Sequence, residues 1–404
     1  MIRTERTVLV LSHLRWNFVY QRPQHLLSRC ARTHRVVFFE EPIYDVETPE
    51  LSLQTTDSRV IVAVPHLPPG MSPQAEDEAQ RRMVDRILDQ DDSGQRPVLW
   101  YYTPMALSFT AHVRAHTVIY DCMDELSLFQ GAPAALLERE SLLMRFADVV
   151  FTGGHSLYEH KRTTSAHRNI HPFPSSVDVA HFARARDLMA EPADQADIPS
   201  PRVGFFGVID ERMDLELLSA VADARPDLQL VMIGPVVKID PATLPKQPNI
   251  HWLGGKQYDE LPAYLAGWDV AMMPFARNAS TRFISPTKTP EYLAAGKPVV
   301  STSIKDVVTP YGRDGLAWIA DTAPDFVVAI DEAIASDNAA RCAHADAFLG
   351  DLSWDRTWHA MWALVEKAGM ARALRSSDLH GVPRPGATGS AEQPLVRHQA
   401  SLKD

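Results

Sequence analysis

The 404-residue chain is 45% hydrophobic and 23% charged, with a net charge of −11. That length exceeds one ordinary core and suits two domains of roughly 150 to 200 residues with a cleft between them. The acidic balance argues against a nucleic-acid surface, and three scattered cysteines (Cys30, Cys122, Cys342) without CxxC spacing exclude a disulfide framework or a thiolate zinc site.

The N-terminal apolar run, Val8 to Leu11, is too short for a signal-peptide core, and no later segment approaches the length of a membrane span. A reducing cytoplasm is therefore the expected compartment. From the start, short apolar runs alternate with helical patterns: TVLVL, the helix-spaced QRPQHLLSRCAR, RVVFFEE, and then PVLWYY, TVIYD and DVVFTG. Alternation of this kind predicts a parallel sheet. His13, Arg22 and His25 surround the first strand-to-helix connection and are candidates for contact with a ligand in the cleft, or for a purely structural role. The run 186–201 gathers Pro, Asp and Ala and reads as a linker between a domain over 1–185 and a second over 202–352.

The second half alternates again: RVGFFGV, MDLELLSAVADA, LQLVMIG, NIHWLG, DELPAYLAG, DVAMMPF and LAWIA. In open α/β sheets, ligands sit beyond the carboxyl ends of the strands. Gly204 and Gly207 lie at the first such end and permit close backbone approach, with Arg212 just beyond as a cation. Tyr258 and Lys256, in GGKQYDELP, follow a strand and are candidates to line a base pocket, although a surface turn is the reading favoured for either alone. After DVAMMPF comes TRFISPTKTPEYLAAGKPVV, where a helix is expected to begin at Ser285 with Pro286, or at Thr289 with Pro290. Ser285, Thr287 and Lys288 then stand at its mouth, and Glu291 follows within a turn. Lys288 suits a diphosphate and Glu291 a ribose diol, so a nucleoside diphosphate satisfies both; the same spacing also fits a solvated ion pair. At the end, Trp354, Trp358 and Trp362 recur on one face of a helix expected over 353–371, and 372–404 has the composition of a disordered tail.

In order along the chain, FPSSVDVAHF, VGFFGVIDERMD, NIHWLG, DELPAYLAGWDVAMMPF and PTKTPEYLAAGKPVV resemble the donor half of GT-B glycosyltransferases of family 4 and related type, a resemblance spanning most of 7–365. It implies two Rossmann-like domains facing across a cleft, a C-terminal helix crossing back to the N-terminal domain, and transfer of sugar from a nucleotide-diphosphate sugar, UDP-sugar favoured. Many such enzymes carry two glutamates separated by seven residues; this chain keeps Glu291 but has Phe283 in the first place. That departure resembles the xanthan glucuronosyltransferase-like subset, which assigns diphosphate binding to Lys288. HLRWNFVYQRPQHLLSR followed by VVFFEEP is similar to transferases of bacterial surface-polysaccharide assembly, implying a glycan or lipid-linked acceptor and a peripheral membrane contact at the inner face of the membrane. No cofactor and no metal are expected, and Asp89-Gln90-Asp91, although literally DxD, lacks a preceding strand. Transfer by direct displacement needs a base. Likeness to the inverting members points to Asp124 first and Asp121 second, and the same acids could instead cap a helix. A nucleotide-sugar 2-epimerase and a catalytically silent GT-B scaffold are the alternative functions.

Overall fold

A computed structural model describes residues 5–380, with side chains over 6–375. Two α/β units are present. The N-terminal sheet is built from β1 (Glu5–Leu11), β2 (His34–Phe39), β3 (Glu50–Thr55), β4 (Ile61–His66), β5 (Val98–Tyr101), β6 (Thr117–Cys122), β7 (Val149–Thr152) and β8 (Ile170–Pro172). Their order is β3-β4-β2-β1-β5-β6-β7-β8, parallel except for β3, which pairs antiparallel with β4 at the edge. The inner strands are buried on both faces, as in VVFF and VLWY, which is why they read as unbroken apolar runs.

The C-terminal sheet comprises β9 (Arg202–Phe206), β10 (Gln229–Ile233), β11 (Ile250–Gly254), β12 (Val270–Met273), β13 (Val299–Ser301) and β14 (Trp318–Ile319). Its order, β11-β10-β9-β12-β13-β14, is parallel throughout. In both sheets the order reverses next to the first strand of the domain, and the crevices at these switch points face each other.

The passage between domains differs from expectation. Val177, Phe182, Ala185 and Ile198 are buried in the C-terminal core, so the chain crosses at about 173–176, and most of the expected linker packs as part of the second domain. The final helix, Trp354–His380, returns to the N-terminal domain, where Trp354, Trp358, Met361, Val365 and Ala368 join Val8, Val10, Phe38 and Trp100 in one core. Trp358 stacks on Trp100 at 6.3 Å and on Trp362 at 4.9 Å. The helix outruns the expected end at 371 because Arg372 and Arg375 bond the Asp148 carboxylate, at 2.7 and 3.0 Å, on the N-terminal domain. Of the expected disordered tail, 381–404 lies outside the described residues. Among the described residues no helix is long and apolar enough to cross a membrane.

Candidate active site

Strand β12 ends in a loop that leads to a seven-residue helix, Lys288–Ala294. Thr287 occupies the cap position without a side-chain bond, so the helix starts between the two expected places. Pro290 in its first turn needs no N–H donor there, and Tyr292 beyond it is locked by a 3.0 Å bond from the Phe206 N–H to its hydroxyl. The helix is thus pinned to the carboxyl end of β9.

Lys288 projects over that same strand end. Its Nζ lies 5.6 Å from the centre of the Phe205 ring, and a Cβ added to Gly207 would meet Lys288 Cε at 2.2 Å. Gly207 has φ +142°, a conformation open to glycine, so both its backbone and its missing side chain make room for the lysine. Gly204 does something else: an added Cβ there would strike the Trp268 ring at 2.1 Å, which makes it a packing glycine. No hydrogen bond or ion pair engages Lys288 Nζ among the described residues. Burial lowers its pKa to about 8 against the upward pull of Glu291, with Arg212 lowering it further. Glu291, only 7% exposed, is pushed up to about 8 by burial while Lys288 pulls it down. Burial draws both groups towards their neutral forms, a perturbation that clusters at functional sites.

Arg212 forms a fork on Asp210, with Nε 2.9 Å from Oδ1 and Nη2 2.6 Å from Oδ2. Its guanidinium also lies 5.5 Å over the Phe129 ring of the N-terminal domain, and Lys238 Nζ lies 5.3 Å from the centre of the same ring. These contacts bring the Asp124 loop to the cations. Asp124 lines both a small recess of about 100 Å³ with Lys288, Ser285, Thr287 and Arg22, and a larger cleft of about 510 Å³ with His13, Arg212 and Lys238. Burial raises the Asp124 pKa, opposed by Arg212. A carboxylate made more basic at the junction of a cationic recess and an open cleft is suited to taking a proton from a hydroxyl in that cleft.

Other expected site residues separate into different roles. Asp121 is fully buried and held by Arg22 through Nε at 3.1 Å to both carboxylate oxygens and Nη2 at 2.9 Å to Oδ1. Arg22 also donates to the Phe173 carbonyl at 2.7 Å, so the pair ties the first connection to the interdomain crossing and Asp121 has no free oxygen for proton transfer. The second catalytic candidate is therefore a structural acid. His25 stacks on Trp354 at 4.5 Å, and burial drives its pKa to about 3, making it a neutral ring in the core instead of a cleft residue. His13 does reach the cleft; burial lowers it to about 4, and its Nδ1 is enclosed without a partner. Tyr258 stacks between His181, at 4.2 Å, and Tyr20 of the N-terminal domain, at 4.5 Å, with its hydroxyl buried and unpartnered. Lys256 instead pairs with Asp194 at 2.6 Å. Phe283, where a first glutamate would stand, stacks on His160 of the opposite domain at 4.5 Å and packs on its core.

Lys238, Asp210 and Phe129 were not singled out from sequence, although Lys238 follows the strand LQLVMI and the strand-end rule reaches it. Asp89 closes the helix Pro73–Asp89, and Asp91 accepts from the Ser93 N–H in the following turn. Among the described residues no three His, Cys, Asp or Glu side chains gather as a metal site.

Residues 200–336, within the C-terminal domain, match the family of glycosyl transferases group 1. A Bacillus subtilis protein named as a glycosyltransferase of teichuronic acid biosynthesis, TuaH, is 25% identical over 240 residues, covering 55% of this chain and 59% of its own length. Among solved structures, a UDP-forming trehalose-phosphate synthase from Burkholderia xenovorans superposes with a TM-score of 0.65 at 12% identity, over 90% of this chain and 99% of that one. Anabaena HepE, solved in complex with UDP and glucose, gives 0.62 at 14% identity, over 90% and 100%. The chain has the GT-B fold.

Proposed function

We propose that, with a group 1 glycosyl transferase domain on a GT-B fold, the chain moves a sugar from a nucleotide-diphosphate sugar to a hydroxyl of a glycan or lipid-linked saccharide. A UDP-sugar is the favoured donor, since one of the structurally similar proteins is a UDP-forming synthase and the other was solved with UDP and glucose. The observation that carries the reading is Lys288, a desolvated ammonium without an anionic partner in contact, set on the backbone of Gly207 beside Arg212. Lys288 and Arg212 would neutralise the diphosphate, Glu291 would accept from the ribose, and the Tyr258 hydroxyl would complete that side. Ser285 and Thr287 line the recess and add hydroxyl donors.

Asp124 would take the acceptor proton as the acceptor oxygen bonds to the anomeric carbon and the bond from that carbon to the diphosphate breaks. The nucleoside diphosphate would leave with its new charge met by the two cations, so no metal is called for in this scheme. His13, kept neutral by burial, is suited to holding the acceptor hydroxyl. Work on a bacterial polysaccharide fits the similarity to the Bacillus subtilis glycosyltransferase of teichuronic acid biosynthesis. The test is release of free nucleotide from a panel of UDP-sugars with and without saccharide acceptors. Acceptor-dependent release supports transfer; conversion of the donor into its 2-epimer without net release of nucleotide points to the epimerase reaction, and an unchanged donor points to a silent scaffold.

A further inference from the structure

A cavity larger than the donor–acceptor cleft lies outside it. About 760 Å³ lie on the other side of the Asp124 loop, between the helices Leu136–Phe146 and His155–Thr164 and the C-terminal segment that carries Arg282 and Phe283. The loop is a shared wall: Asp124 and Leu126 line the cleft, whereas Glu125, Ser127 and Leu128 line this cavity. Its volume is within the ordinary range of small-molecule sites, about 300–1,000 Å³.

The charges in it are sorted by depth. At the bottom, Lys161 is held between Glu125 at 2.7 Å and Glu140 at 2.6 Å, and Glu140 also accepts from the Tyr120 hydroxyl at 2.7 Å. All three charged side chains are buried, and His160 Nε2 lies 3.4 Å from Glu125. Around the mouth, Arg145, Arg168 and Arg282 are exposed, and none has an acidic partner among the described residues. Three unpaired guanidinium groups converging on one concavity, in a chain of net charge −11, are a local reversal of sign. A second observation points the same way: His167 lines the wall with Nε2 enclosed and without a partner. Phe283 and Leu137 supply apolar surface beside these donors, the combination that meets the C–H face of a sugar ring and its charged substituent.

We propose that this cavity binds an anionic saccharide segment, with the carboxylate or phosphate substituents of its sugars on Arg145, Arg168 and Arg282. Such a segment would be a part of the acceptor glycan remote from the reacting hydroxyl. A lipid surface fits less well, because Glu138 lies among the outward-facing positions Leu137, Leu142 and Phe146 and the basic groups surround a hollow instead of a plane. The identity of the segment as acceptor rests on the transferase reading; the anion site does not.

The experiment is calorimetric titration of the full chain with trigalacturonate and with maltotriose, and sedimentation with phosphatidylglycerol vesicles, for the wild type and for the combined Arg145→Gln, Arg168→Gln, Arg282→Gln variant. The expected result is binding of trigalacturonate at least tenfold tighter than of maltotriose, weakened by salt, and weakened at least tenfold in the variant. Arg168→Glu alone, on an exposed position, should weaken it in the same direction. Equal affinity for the two trisaccharides, no binding of either, an unaffected variant, or arginine-dependent binding to vesicles alone would overturn the proposal. UDP is titrated in the same series: loss of UDP binding with trigalacturonate binding intact would remove the transferase reading and leave the anion site, and the reverse would remove the site alone.

Discussion

Replacing Lys288 by Met keeps most of the aliphatic stem beside Phe205 and removes only the charge. Each hydrogen bond to a charged group contributes about 1.5–3 kcal/mol, so loss of one such contact with the diphosphate should weaken UDP about 10- to 100-fold, at about 1.4 kcal/mol per tenfold. The fold should not suffer, because burial already disfavours the ammonium in the free protein. The sign follows from linkage: a folded pKa of about 8, below the unfolded 10.5, means that the penalty of the buried charge is present below pH 8 and is relieved as pH rises between those values. Lys288→Met should therefore be at least as stable as the wild type at pH 7, with the advantage shrinking at alkaline pH. Wild-type UDP affinity should fall above about pH 8 as Lys288 loses its proton, and this limb should vanish in the variant. Calorimetry of UDP binding from pH 6.5 to 9.5, with denaturant titrations on both proteins, reads all of this. UDP affinity unchanged in Lys288→Met, with the fold intact, would refute the reasoning.

Glu291→Gln removes the charge that holds the Lys288 pKa up, so the alkaline limb of UDP binding should move to lower pH in calorimetry. Asp124→Asn should lower the transfer rate about 10²- to 10⁴-fold while leaving UDP affinity within a few-fold, a split read by steady-state assay beside titration. Asp121→Ala, by contrast, strands the buried Arg22 guanidinium and should cost about 3–5 kcal/mol in urea unfolding, an order unlike that of Asp124→Ala. Gly207→Ala must displace Lys288 and adopt φ +142°, so it should weaken UDP binding as strongly as Lys288→Met and lower the melting temperature as well.

Much of the architecture could be read from sequence because its signals are local. Two series of buried parallel strands appear as apolar runs of four to six residues, and the recurrence of Trp354, Trp358 and Trp362 states a helix face before any partner is known. The position of Lys288 after β12 follows from the strand-end rule. What escaped was pairing over distance. Arg22 and Asp121 are 99 residues apart, and each alone looks like a cleft residue; only their contact turns them into a buried tie. His25 likewise depends on Trp354 for its role. The segment 186–201 is polar enough to read as a linker, yet Ile198 within it and Val177, Phe182 and Ala185 just before it bind this part of the chain into the second core. The antiparallel β3 was missed because ELSLQT is largely exposed at the sheet edge and carries little apolar pattern.

The most direct measurement of the central claim is a thermal-shift panel with UDP, GDP, ADP and dTDP and their sugar conjugates on the purified full chain. A ligand that binds only the native state at 100 times its Kd adds about 2.7 kcal/mol of stability, a readable rise in melting temperature. A selective rise with UDP and a UDP-sugar, absent in Lys288→Met, is the predicted result. No rise with any nucleotide, in the presence or absence of saccharide acceptors, would contradict the assignment of this site to a nucleotide-sugar transferase.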